Sequence, residues 1–152
     1  MPVCFLDSSA LVKCYVDETG SGWTRSVLDD ENNVVYVASL SRVETISALT
    51  RRFRRSDIAQ QEFNVACEQF RLDLTTQFEK VGLTDPMIEE AASLAQTHGL
   101  RAYDAVQLAA ALETSRIASK VEATQLTLVS ADLELNAAAL AEGFKVEDPN
   151  TH

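Results

Sequence analysis

The chain has 152 residues, of which 46% are hydrophobic, and a formal net charge of −10. This is enough apolar material for one core, so a single domain over residues 1–152 is predicted, while the charge fits poorly with broad electrostatic binding of nucleic acid. No apolar run approaches the roughly 18 residues of a membrane span, and the opening Met-Pro-Val-Cys-Phe-Leu-Asp lacks a signal peptide's basic region, so a cytoplasmic protein is expected.

Val3 to Leu6 reads as a short buried strand ending at Asp7. Ser8 or Ser9 can cap a short helix over Ala10–Val16, which Gly20 and Gly22 break. Trp23 to Leu28 reads as a second helix and Val34 to Val37 as a β-branched second strand. Ser41 to Arg55 has helical spacing, with Val43, Ile46 and Leu49 on one face. Asp57 is placed to cap a longer helix, Ile58 to about Leu74, that forms a hairpin with the one before it. Phe78 to Leu83 is a weak strand candidate. Asp85-Pro86 starts a helix that Gly99 ends. Asp104 opens an Ala- and Leu-rich helix to about Glu113, apolar enough to be central and buried. Ser115 to Gln125 is polar and reads as a loop. Leu126 to Val129 is a strand, Leu133 to Glu142 a helix and Phe144 to Val146 a last short strand. Strands alternating with helices predict an α/β fold with a mostly parallel sheet of about 4–5 strands and about seven helices.

Four carboxylates stand at handover points along this order: Asp7, Glu44, Asp104 and Asp132. Each has a local explanation. Ser41-x-x-Glu44 matches a capping box. Asp104 and Asp132 each precede an apolar helix, where Asp is a good N-cap. Asp7 has no apolar helix directly after it, so a cap explains it less well. In a parallel sheet, however, such handovers gather at one edge, where α/β folds place their sites. Acids collected there would repel one another unless a cation neutralised them. Three cysteines without a Cys-x-x-Cys pair and two histidines make a Cys/His zinc site or a Ser-His-Asp triad a poor reading. Carboxylates alone favour Mg²⁺ or Mn²⁺. Two such ions can activate a water on a phosphodiester, although spacing does not choose among phosphate chemistries.

Four segments carry a resemblance to a known family. They are Phe5-Leu-Asp-Ser-Ser-Ala-Leu-Val-Lys13, Val43-Glu-Thr-Ile-Ser-Ala-Leu49, Leu100-Arg-Ala-Tyr-Asp-Ala-Val-Gln-Leu-Ala-Ala-Ala-Leu112 and Leu128-Val-Ser-Ala-Asp-Leu-Glu-Leu-Asn-Ala-Ala138, the last followed by Gly143 and Asp148-Pro149. In this order they resemble the PIN-domain ribonucleases, specifically VapC-type toxins of toxin–antitoxin pairs. The resemblance implies a PIN-like fold and a Mg²⁺- or Mn²⁺-dependent endoribonuclease that cleaves RNA with a metal-activated water. It also implies a homodimer and a cognate VapB-like antitoxin. Asp7, Asp104 and Asp132 would be metal ligands, and Glu44 would orient a water or add a ligand. Ser9 and Ser130 could hold carboxylates by hydrogen bonds or simply cap helices. Glu134 adds an acid that could face solvent.

The run Arg51-Arg52-Phe53-Arg54-Arg55 suits a helix C-terminus and a solvated face, or a local contact with RNA phosphate or an acidic antitoxin segment. Trp23, Phe63, Phe70 and Met87 read as core. Two other functions stay open on sequence alone. One is a PIN nuclease in RNA processing. The other is a Mg²⁺-binding receiver-like module, which Ser8 and Ser9 beside Asp7 fit poorly. A phosphatase with a nucleophilic Asp-x-Asp is disfavoured because position 9 is Ser.

Overall fold

A computed structural model describes residues 2–121 and 124–152. The first strand, β1 (Val3–Leu6), is buried along its whole length. A strand alternates its side chains between two faces, so a continuously apolar strand needs cover on both. Val3 and Phe5 join one core, and Cys4 and Leu6 join another on the opposite face. The remaining elements supply this cover in chain order. They are α1 (Ser8–Tyr15), α2 (Ser21–Asp29), β2 (Val34–Ala38), α3 (Ser41–Arg54), α4 (Gln60–Thr76), β3 (Phe78–Val81), α5 (Asp85–His98), α6 (Ala102–Val121), β4 (Thr127–Val129), α7 (Leu133–Ala141) and β5 (Lys145–Glu147).

Among the described residues the five strands form one sheet in the order β3-β2-β1-β4-β5. Every pairing is parallel, with Phe5 opposite Tyr36 on one side and Leu128 on the other. The predicted mostly parallel sheet is therefore wholly parallel. The chain grows from β1 toward β2 and β3, then returns to β4 on the other side of β1. The topological switch point thus lies between β1 and β4, where open α/β sheets form their crevices. The order also differs from the 2-1-3-4-5 of receiver-type folds.

One face of the sheet carries α5, α6 and α7, with Ala105, Leu108, Ala109 and Leu135 in the core. The other carries α1, α2 and α4, with Leu11, Val27, Phe70 and Leu74. No helix among the described residues is long and apolar enough to cross a membrane.

Several local expectations are corrected. Ser115 to Val121 continues α6 rather than forming a loop; no Gly or Pro interrupts it, and Ala118 is buried. Glu122 and Ala123 lie outside the described residues. Asp57 does not cap α4; Ala59 holds the N-cap position, and its N–H donates to Glu62 at 3.4 Å. Val43 is 66% exposed, because α3 buries Ser41, Thr45 and Leu49 instead. Met87 and Phe70 are core, whereas Phe63 and Trp23 are half-buried and stack on Phe53 and His152.

Gly20 shows why a small residue opens α2. Its φ is +83°, and an added Cβ would lie 2.3 Å from the Pro149 carbonyl oxygen. Gly20→Ala combines left-handed strain with a backbone clash. It is expected to cost about 1–3 kcal/mol, read as a lowered thermal midpoint.

Candidate metal-binding and catalytic cleft

Asp7 follows β1 directly, and its N–H donates to the Val129 carbonyl at the end of β4. The switch point therefore fixes its backbone. Its carboxylate N-caps α1, accepting from the Ala10 N–H at 2.9 Å, so the capping role expected of Ser8 or Ser9 belongs to Asp7. Ser9 is used differently: its hydroxyl donates to Asp7 Oδ1 at 2.7 Å. The Ser130 hydroxyl donates to Asp7 Oδ2 at 2.8 Å. Both serines thus hold a carboxylate, the first of the two roles open to them in the sequence. Ser9 Oγ also accepts from the Ala131 N–H, and Ser130 Oγ from the Asp132 N–H, locking the β4–α7 turn against α1.

Asp132 N-caps α7 through Leu135 N–H at 2.9 Å, as its sequence position suggests. Its other oxygen, Oδ2, accepts from Arg101 at 3.4 Å. Asp104 is not a cap; it lies inside the first turn of α6. Arg101 reaches both, at 3.3 Å from Asp104 and 3.4 Å from Asp132. Glu134 is exposed on α7.

Glu44 departs furthest from the local pattern. Leu40 is at the N-cap position of α3 with no side-chain cap. The Ser41 hydroxyl, which a capping box would need, instead accepts from Gln107 Nε2 at 2.9 Å. Glu44 turns into the cleft, where the Ser8 hydroxyl donates to it and Gln107 Nε2 approaches at 3.3 Å. Sequence reading missed Ser8, Arg101 and Gln107. The available signal for Gln107 was one polar residue in an apolar run, three along from Asp104 and so on its face.

The four acids line one cleft of about 440 Å³, together with Lys13, Glu18, Arg51 and Arg52. Burial pushes the Asp7 carboxyl up from 3.8 to about 6, against the lowering effect of its three hydrogen bonds. Burial also raises Asp104, and the Asp132 charge adds to it. Glu44 is raised by burial, with a further push from Asp104. The acids are thus linked in a chain of like charges, Asp7 to Asp132, Asp132 to Asp104 and Asp104 to Glu44. Among the described residues no three His, Cys, Asp or Glu side chains close tightly enough on one point to enclose an ion. The acids line an open cleft without converging as a closed cage. That suits Mg²⁺ or Mn²⁺, which keep several waters and are held by a few carboxylates plus substrate phosphate.

Comparison with known proteins identifies the family. The PIN domain family model matches residues 4–141. Ribonucleases VapC45 and VapC49 of Mycobacterium tuberculosis are each 35% identical over 112 residues, covering 74% of this chain and 76% of theirs. In fold, the chain is similar to the sarcin–ricin-loop-cleaving toxin VapC20 of M. tuberculosis, with a TM-score of 0.63 and 18% identity over 93% of this chain and 95% of that one. It is equally similar to a toxin–antitoxin complex from Klebsiella pneumoniae, with a TM-score of 0.63 and 14% identity over 96% and 97% of the two chains. The chain belongs to the PIN-domain family, in the branch that holds the VapC ribonucleases.

Proposed function

We propose that this chain is a Mg²⁺- or Mn²⁺-dependent endoribonuclease acting as the toxin of a VapBC-type toxin–antitoxin pair. The observation that carries the reading is the cleft itself. Four carboxylates from four separate chain segments face one cavity at the switch point, and the most buried of them is held by two serines from different elements.

Asp7, Asp104 and Asp132 are the residues that would hold the metal. The bound ion would supply an activated water and offset charge on the leaving oxygen of the phosphodiester. The rest of the chemistry falls to the protein. Ser9 and Ser130 aim the Asp7 carboxylate by donating to both of its oxygens. Ser8 and Gln107 hold Glu44 at the cleft wall, where it would orient a water. Arg101 balances Asp104 and Asp132 and leaves them accessible, being itself mostly exposed.

The structural likeness to toxin–antitoxin complexes supports an antitoxin partner, and an acidic cleft is complementary to a basic side chain of such a partner. A homodimer is part of the same proposal.

The test is cleavage of RNA by purified protein with Mg²⁺ or Mn²⁺, with the RNA ends mapped, beside growth arrest on expression. Intact RNA with both metals would sink the reading. Ser130→Ala gives a finer check. Removing a donor to the charged carboxylate raises its pKa further. The acid limb of the pH–rate profile should therefore move to higher pH, and the plateau should fall, because Asp7 loses one of the two hydroxyls that aim it.

A further inference from the structure

The cleft is not acidic throughout. Glu44, Ser47, Ala48 and Arg51 all line it, and their spacing of i, i+3, i+4 and i+7 sets them in one stripe along α3. Glu44 and Arg51 are seven residues apart, about 10 Å along the helix axis at 1.5 Å per residue. The cavity thus runs from the acids toward the C-terminal end of α3, where three cations face one carboxylate.

Two of those cations are already engaged. The Lys13 ammonium, 7% exposed, is held by Glu18 at 3.2 Å and by the Thr19 carbonyl at 2.8 Å. Arg52 pairs with the other Glu18 oxygen at 2.8 Å. Arg101, at the acidic end, is shared between Asp104 and Asp132. Arg51 differs. Among the described residues no carboxylate lies within ion-pair distance of it, and its one side-chain partner is the Ser47 hydroxyl, to which it donates at 2.7 Å. That bond draws the guanidinium back along the stripe toward the acids.

We propose that Arg51 binds a backbone phosphate of the RNA next to the one being cleaved, so that the strand lies along α3 with its scissile phosphate at the acids. The assignment rests on the nuclease reading and adds the direction of the strand to it. A guanidinium can contact two oxygens of a phosphate at once, and one left unneutralised is available to do so. In a chain carrying ten excess negative charges, local cations of this kind must offset the repulsion of the strand.

The test compares Arg51→Gln with Arg54→Gln, an exposed arginine of the same helix that does not line the cleft. Arg51→Gln is expected to raise the KM for RNA about 5–10-fold at nearly constant kcat, an ion contact discounted for its exposure. It should also flatten the dependence of log Kd on log salt by about one unit. Arg51→Lys should restore part of the affinity, and Mn²⁺ affinity should be the same in all variants. Binding is read by anisotropy of a short labelled single-stranded RNA of mixed sequence on Asp7→Asn protein, where turnover does not interfere. Equal KM and equal salt slopes for the Arg51 and Arg54 variants would overturn the proposal. So would an Arg51-dependent affinity for an acidic peptide with RNA binding unchanged, because the cation would then serve a protein partner. Arg51-dependent RNA binding by a wild-type protein that cleaves nothing would overturn the nuclease reading alone.

Discussion

Asp7→Asn is expected to reduce RNA cleavage by about 10³-fold or more while leaving the metal-free protein more stable at pH 7.5 than the wild type. The loss follows from the position of this carboxylate in the proposed centre, since tenfold in rate corresponds to 1.36 kcal/mol and a metal-centred site supplies several. The gain follows from burial. Asp7 is 3% exposed, and its carboxyl is pushed from 3.8 to about 6 chiefly by desolvation. An acid whose folded pKa is raised binds more protons folded than unfolded between those two values. Stability therefore falls as pH rises from about 4 to about 6, and above that the charged carboxylate costs about 3 kcal/mol at 1.36 kcal/mol per pH unit. Asn keeps the cap on Ala10 N–H and removes the charge. Part of the gain is lost because the amide accepts from only one of Ser9 and Ser130 as well as the carboxylate does. Thermal melts without metal at pH 7.5 and pH 4 check the sign: the variant should lead at the higher pH and lose its lead at the lower. A variant less stable than wild type at both would show that Asp7 supports the fold and is not a strained functional group.

Most of the architecture was legible because β1, β2 and β4 are short, largely apolar runs, whereas β3, with Glu79 and Lys80 exposed, was only a weak candidate. A four-residue apolar run needs two covered faces, and the helix pairs between strands set up parallel crossovers. The order of elements, the glycine at the end of α5 and the buried character of α6 follow from such local features. The acids were legible in number and place but not in attachment. Ser41 and Glu44 satisfy the capping-box pattern, and nothing within the helix shows that Gln107, 66 residues away, takes the Ser41 hydroxyl. Asp7 looked unlike a cap because the residues after it are serines, yet it caps α1 and serves the cleft with the same carboxylate. Val43 was misassigned because helical spacing alone does not distinguish a core stripe from a cleft wall. Arg101 and Ser8 could not be recognised at all from sequence, since each acts through a residue on a different element.

Divalent metal is expected to stabilise the wild-type protein strongly at pH 7.5 and weakly at pH 5. Above pH 6 Asp7 is ionised at a cost, and Asp104 and Glu44, also raised by burial and by neighbouring negative charge, have the same sign. A bound cation reverses that cost. At a hundred times its Kd it adds about 2.7 kcal/mol, enough to raise the thermal midpoint by several degrees in a domain of this size. Lowering the pH through about 6 puts a proton on Asp7, and the metal must then displace it, so the apparent affinity falls. Arg101 opposes the metal at all pH values, because its guanidinium already pairs with Asp104 and Asp132. Being largely exposed, it should weaken binding only by a few-fold, and Arg101→Gln should tighten Mn²⁺ by about that factor. Thermal shift and titration calorimetry with Mn²⁺, at both pH values and on wild type, Asp7→Asn and Arg101→Gln, separate these effects. Equal stabilisation at pH 5 and pH 7.5, or an undiminished shift in Asp7→Asn, would mean that the ion binds away from the four acids.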